Sequence, residues 1–165
     1  MGTLVLILTL VAGCTPIQPA AAPEAITLRF AISDGEGHPQ IDNYVHEFAD
    51  QVQALSEGKI TIELVWDAGG GTFDGYEKGT LQRVLQGKYD LGLVASRTWD
   101  SEAITNFQAL HAPFLISNDA LAAAVASGAI GKRMLDSLTA VGLVGLTLWP
   151  EDMRHPFSVM PGKPL

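Results

Sequence analysis

Cysteine occurs once in the 165 residues, at Cys14, which excludes an intrachain disulfide framework and any CxxC metal site. Positive charge is also scarce. Ten Lys and Arg stand against eighteen Asp and Glu, a formal net charge of -8, and that balance argues against nucleic acid or an anionic membrane face as the main partner. Catalytic signatures are missing as well: there is no GxSxG elbow, no HExxH and no GK[ST] phosphate loop. The four histidines, His38, His46, His111 and His155, lie too far apart for a compact ligand motif. The N-terminal apolar run, residues 4–11, falls well short of the roughly 20 residues that a membrane-spanning helix needs. What remains is globular in composition, 47% hydrophobic and 17% charged, and long enough for one domain with a real core but too short for two comfortable ones. The expectation is a protein that is not an enzyme and has no cofactor.

The lone cysteine has a telling position. MGTLVLILTLVAGCTP places an apolar segment and two small residues directly before Cys14, as in an export signal followed by a bacterial lipobox, where the thiol is acylated and the chain is cut before it. The departure from that pattern is that no Lys or Arg precedes the apolar run. The alternative is a frayed hydrophobic tail with an ordinary buried cysteine. TPIQPAAAPEA follows, and its three prolines make an extended tether. Residues 1–13 therefore read as a signal peptide and 14–25 as a lipidated Cys14 with its tether. The folded part would sit outside the cytoplasm, anchored to the membrane by lipid.

From residue 26 the pattern alternates. ITLRFAI (26–32) has the β-branched and aromatic content of a strand. Ile41, Val45, Phe48, Val52 and Leu55 recur at helical spacing, with Pro39 near the first turn and Gly58 past the end. KITIELVW (59–66) is a second strand and DAGGG a loop. Asp74, Gly75, Tyr76 and Glu77 form a capping-box pattern for a helix carrying Leu81, Val84 and Leu85. YDLGLVAS (89–96) is a third strand, apolar enough to be covered on both faces. Helical stretches are expected over 102–109, 119–127 and 130–141, the last closing at Gly142, before a final strand LVGLTLW at 143–149. Strands alternating with helices imply an α/β lobe, residues 26–150, built on a mostly parallel sheet.

Ligands of open α/β sheets bind outside the carboxyl ends of the strands. The loops there carry Ser33, Asp34, Glu36 and His38, then Asp67 and three glycines (69–71), then Ser96 and Arg97, and finally Glu151, Asp152 and Arg154. Each has a plainer reading. The glycines form either an anion cradle or a simple turn. Asp34, Glu36 and His38 bind a metal, serve a small hydrolase, or are solvated. Arg97 pairs with Asp100 or with a ligand, and Arg154 is neutralised by Glu151 or Asp152, or holds an anion.

The order and spacing of ITLRFAISDGEGHP, SEGKITIELVW, LQGKYDLGLVAS, HAPFLISN and GLVGLTLWPEDMRHPFS resemble the N-terminal part of the substrate-binding proteins of tripartite ATP-independent periplasmic (TRAP) transporters. The resemblance covers about residues 26–165. It implies the first lobe of a two-lobed periplasmic-binding-protein type II fold, with residues 151–165 starting the hinge crossing and the second lobe missing. It also implies a receptor that closes on a small organic acid and delivers it to membrane permease subunits, with no nucleic-acid partner. Arg154 matches the place of a family arginine that faces the ligand carboxylate, where a planar guanidinium offers two parallel donors. The ligand-facing set is then Arg154, Glu151, Ser33, Asp34, His38, Asp67, Ser96 and Arg97. GGGTFDGYE is richer in glycine than the family's usual loop. One lobe alone is expected to bind weakly. The alternatives are a stand-alone lipoprotein interaction module and a receptor of another transporter type.

Overall fold

The computed structural model describes residues 25–39, 41–70 and 75–153. Among the described residues three parallel strands form the sheet: β1 (Ile26–Ile32), β2 (Ile60–Val65) and β3 (Leu91–Leu93), in the order β2-β1-β3. Phe30 on the central strand stands opposite Leu64 on one side and Leu91 on the other. Helix α1 (Ile41–Leu55) links β1 to β2, and α2 (Tyr76–Leu85) leads to β3.

Strand alternation decides which helix covers which face. Phe30 and Ile32 of β1 pack with Ile41 and Val45 of α1, joined by Phe48, Leu64 and Trp149. Ala31, between them in sequence, faces the other way, onto Val84 of α2 with Ala68 and Tyr89. The sheet is thus sandwiched between α1 and α2. The helical stripe of α1 is buried at Ile41 and Val45, but its last member, Leu55, is 83% exposed. Gly58 (φ +75°) closes the helix by donating its N–H to the Gln53 carbonyl at 2.8 Å, a conformation glycine adopts without Cβ strain.

Beyond α2 lies a second apolar cluster of Leu81, Trp99, Ile104, Phe107, Met134 and Leu138. Each such side chain contributes roughly 1.5–3 kcal/mol when fully buried. Here the structure departs from two expectations. Residues 102–109 do not form a helix. The chain makes a 3-10 helix at Ser96–Glu102, ends it at Ala103 with φ +58°, and makes another at Gln108–His111. Burial of Ile104 and Phe107 holds this irregular segment, since tertiary anchoring overrides weak local propensity. Helices α3 (Asp119–Ser127) and α4 (Ala129–Asp136) follow, with a 3-10 turn at Ser137–Val141 before Gly142. Asn118 caps α3 through its side-chain oxygen, which accepts from Leu121 N–H at 2.9 Å.

The second departure is at residues 143–149, which pair with no described strand. A strand is stabilised by its ladder, and strand-like composition alone does not supply one. The segment is held by its side chains instead. Leu148 joins the cluster beyond α2 while Trp149 reaches the α1 face, its ring tilted against Tyr44 and edge-on to Phe48.

Candidate functional site

The loops that leave β1, β2 and β3 meet at the carboxyl edge of the sheet. Asp67 N–H donates to the Asp34 carbonyl at 3.1 Å and Ala68 N–H to the Ile32 carbonyl at 3.0 Å, which zips the first two loops together. Asp67 itself sits at φ +49°, and its carboxylate lies beside Gly35. Ser33 is buried, with its hydroxyl directed at the Leu93 carbonyl at 3.5 Å, at the outer limit of a hydrogen bond. The third loop begins at Ser96 and Arg97, in the first turn of the Ser96–Glu102 helix.

Glu77 organises this edge. It lies in the first turn of α2, and its carboxylate accepts from Arg97 Nη2, from the Tyr76 hydroxyl at 3.3 Å and from the Thr98 hydroxyl at 3.2 Å. The surface pairing of Arg97 with Asp100 that the sequence allowed is therefore replaced by an ion pair with Glu77. The capping-box pattern rests on Asp74, which lies outside the described residues; among the described residues Gly75 is the N-cap of α2, with no side-chain cap hydrogen bond.

Electrostatic coupling shows which other groups share the edge. Burial pushes the Asp34 carboxyl above its ordinary value, the charges of Glu77 and Glu151 push the same way, and His38 and Arg97 oppose them. Burial also raises the Tyr76 hydroxyl, with the neighbouring charges of Glu77 and Asp34 adding to it. Asp34, His38, Glu77, Arg97 and Glu151 thus form one interacting group. The Nδ1 atom of His38 is buried with no hydrogen-bond partner among the described residues. Ser96 Oγ lies 2.7 Å from His111 Nε2.

Of the ligand-facing set expected from sequence, Ser33, Asp34, His38, Asp67, Ser96, Arg97 and Glu151 are described, and Arg154 lies outside the described residues, as does the lipidation residue Cys14. Sequence reasoning missed Glu77 and His111 as rim residues. Neither carries a local signal, because one is brought in by α2 and the other by a 3-10 turn. The glycine loop falls only in part within the described residues. A Cβ on Gly69 would stand 1.7 Å from the Tyr76 carbonyl oxygen, so Gly69 is there for close packing, while Gly71 and Thr72 lie outside the described residues. Among the described residues no group of three or more His, Cys, Asp or Glu converges to hold a metal ion. Elsewhere, an open groove of about 400 Å³ runs between α3, α4 and residues 145–147, away from this edge.

A parallel sheet flanked by helices, with charged loops gathered at its carboxyl edge, defines the class: a lobe of a solute-binding protein. The family described as bacterial extracellular solute-binding protein, family 7 (DctP) matches residues 30–161. The sugar acid binding protein DctPAm from Advenella mimigardefordensis, solved with galactonate, is 25% identical with a TM-score of 0.64, over 76% of this chain and 39% of that one. A TRAP periplasmic solute-binding protein from Xanthobacter autotrophicus, solved with β-D-galacturonate, is 28% identical with a TM-score of 0.62, over 73% of this chain and 38% of that one. The uncharacterised protein y4mM of Sinorhizobium fredii is 29% identical over 86% of this chain and 25% of its own length. The chain therefore spans well under half of the proteins it matches. It belongs to the DctP family, the family 7 solute-binding proteins of TRAP transporters.

Proposed function

We propose that the carboxyl edge of this sheet binds a small organic acid and that the protein serves as the solute receptor of a TRAP-type transporter, passing its cargo to membrane permease subunits. The observation that carries this is the gathering of Asp34 and His38 from the loop after β1, Glu77 from the first turn of α2 and Arg97 from the turn after β3 at one place. The bound ligands of the two solved relatives are hydroxylated sugar acids, and such a ligand suits an edge rich in both acceptors and donors. Its hydroxyls give hydrogen bonds to Asp34 and Glu77. Its carboxylate takes them from Arg97 and His38, and from Arg154 on the segment after Trp149. Residues 26–150 form the binding lobe and residues 151–165 begin the crossing toward a second one.

At an open edge the anion stays half solvated, where an ion pair contributes about 0–1 kcal/mol, so this edge by itself should hold an acid no more tightly than about millimolar, which needs roughly 4 kcal/mol. The test is a backbone-amide NMR titration with galactonate: rim resonances such as Thr98 should shift, and Arg154→Ala should abolish the response. Silence at concentrations well above millimolar, across a panel of organic acids, would end the receptor reading. Lipid anchoring through Cys14 belongs to the same proposal, and Cys14→Ser should move the protein from the membrane fraction to the soluble one.

A second reading has one observation behind it. Phe114, at φ +63° and 93% exposed, Leu115, Val144 and Leu146 present apolar side chains to solvent, as an interaction module would. A stable dimer in sedimentation, together with no response to acids, would favour that module.

A further inference from the structure

Both oxygens of Glu77 are engaged, Oε1 by Arg97 and Tyr76 and Oε2 by Thr98. Its side chain is only 17% exposed, whereas that of Arg97 is 56% exposed. The carboxylate is therefore seated in the protein, and the guanidinium leans over it from the solvent side. An acid arriving at Arg97 meets a cation that already has a counterion, with the Asp34 carboxylate also close enough to interact with it. This is a poor place for a bare carboxylate.

We propose that Glu77 is a positioning residue that sets specificity: by holding Arg97, it makes the edge reject acids that bring only a carboxylate and accept acids that also bring hydroxyl donors. The inference rests on the organic-acid reading above and adds the residue that selects among acids. A simple carboxylate must share Arg97 with Glu77 and faces its like charge. A hydroxylated acid offers an O–H donor to Oε2, which accepts from Thr98 alone and has a second acceptor site. The charges that repel one end of such a ligand hold the other. The poor solvation of Asp34, evident in its raised carboxyl, points the same way, because a donor supplied by a ligand relieves it.

Galactonate and hexanoate make the test, as six-carbon monocarboxylates that differ in their hydroxyls. Both are titrated by NMR into the full chain and into Glu77→Gln, which keeps the side-chain size and acceptor oxygen but removes the charge. Hexanoate should bind about tenfold more tightly to the variant, the scale expected from removing one nearby and partly screened charge, while galactonate stays level or weakens. The preference for galactonate should thus fall at least about tenfold. Glu77→Asp, which draws the charge back by one methylene, should shift the preference in the same direction by a smaller factor and serves if the glutamine variant does not fold. A structural role alone would weaken both acids together, and an unchanged preference in either folded variant overturns the inference. If the unaltered chain binds neither these two acids nor any of the wider panel, the receptor reading itself fails and this inference goes with it.

Discussion

The two faces of the sheet are packed by opposite means. On the α1 face, large side chains fill the space: Phe30, Ile32, Ile41 and Val45 meet the rings of Phe48 and Trp149. On the α2 face, apart from the Tyr89 ring, small groups make the close contacts, with Ala31 and Ala68 against Val84, and Gly69 and Gly79 letting backbone approach backbone. Bulk on one side keeps α1 at side-chain distance. Its absence on the other lets α2 sit close, and that brings the first turn of α2, with Tyr76 and Glu77, to the strand ends where Arg97 emerges. The face that looks underfilled is the one that builds the site.

Adding one carbon to the α2 face and removing one from the α1 face should therefore have unequal effects. Gly69→Ala puts a Cβ where the Tyr76 carbonyl oxygen lies at 1.7 Å and the Thr80 hydroxyl at 2.9 Å. Backbone cannot step aside as a flexible side chain does, so we expect a loss of about 3 kcal/mol or more in chemical denaturation. The folded remainder should also lose the Glu77–Arg97 pairing, visible as a change in the Thr98 amide resonance. Ile32→Val takes a methyl from a side chain that is 0% exposed, and the expected loss is about 1 kcal/mol, with the Thr98 resonance unmoved. Equal losses, or an undisturbed site in Gly69→Ala, would break the contrast between the faces.

The same division explains what the sequence disclosed. Helix α1 could be read from Ile41, Val45 and Phe48 because an amphipathic stripe is a local pattern, and its end from Gly58 because a left-handed turn favours glycine. The strand ends, and hence the places of Ser33, Asp34, Asp67 and Arg97, followed from those elements. LVGLTLW misled because its apolar, β-branched composition fits a strand equally well with or without a ladder. Glu77 was missed as a rim residue for a related reason: an acid three residues after Asp74 fits a capping box, and its contacts with Arg97 and Thr98 bridge 20 and 21 residues of sequence. The contact between Ser96 and His111 spans 15 residues and is equally silent locally. Local patterns place elements, whereas partners of charged side chains depend on how closely those elements pack.

The smallest expected effect concerns the edge where the two faces meet. The fold holds the Asp34 carboxyl above the ordinary 3.8, chiefly by burial, so it favours the protonated form. For a raised acid, the stabilising contribution is complete below the unfolded value and is lost as pH rises through the folded one. At neutral pH the ionised Asp34 is therefore a cost, one that His38 and Arg97 reduce and Glu77 and Glu151 enlarge. Asp34→Asn should raise stability near pH 7 by no more than about 1 kcal/mol, because solvent still reaches the group and screens it. Below pH 3.8 the gain should vanish, since the unaltered carboxyl is then neutral as well. Thermal melts of both proteins across that range measure the difference directly. A gain that persists in acid would mean the asparagine stabilises by packing, placing Asp34 with the filled face of the sheet and not with the charged edge that Glu77 organises.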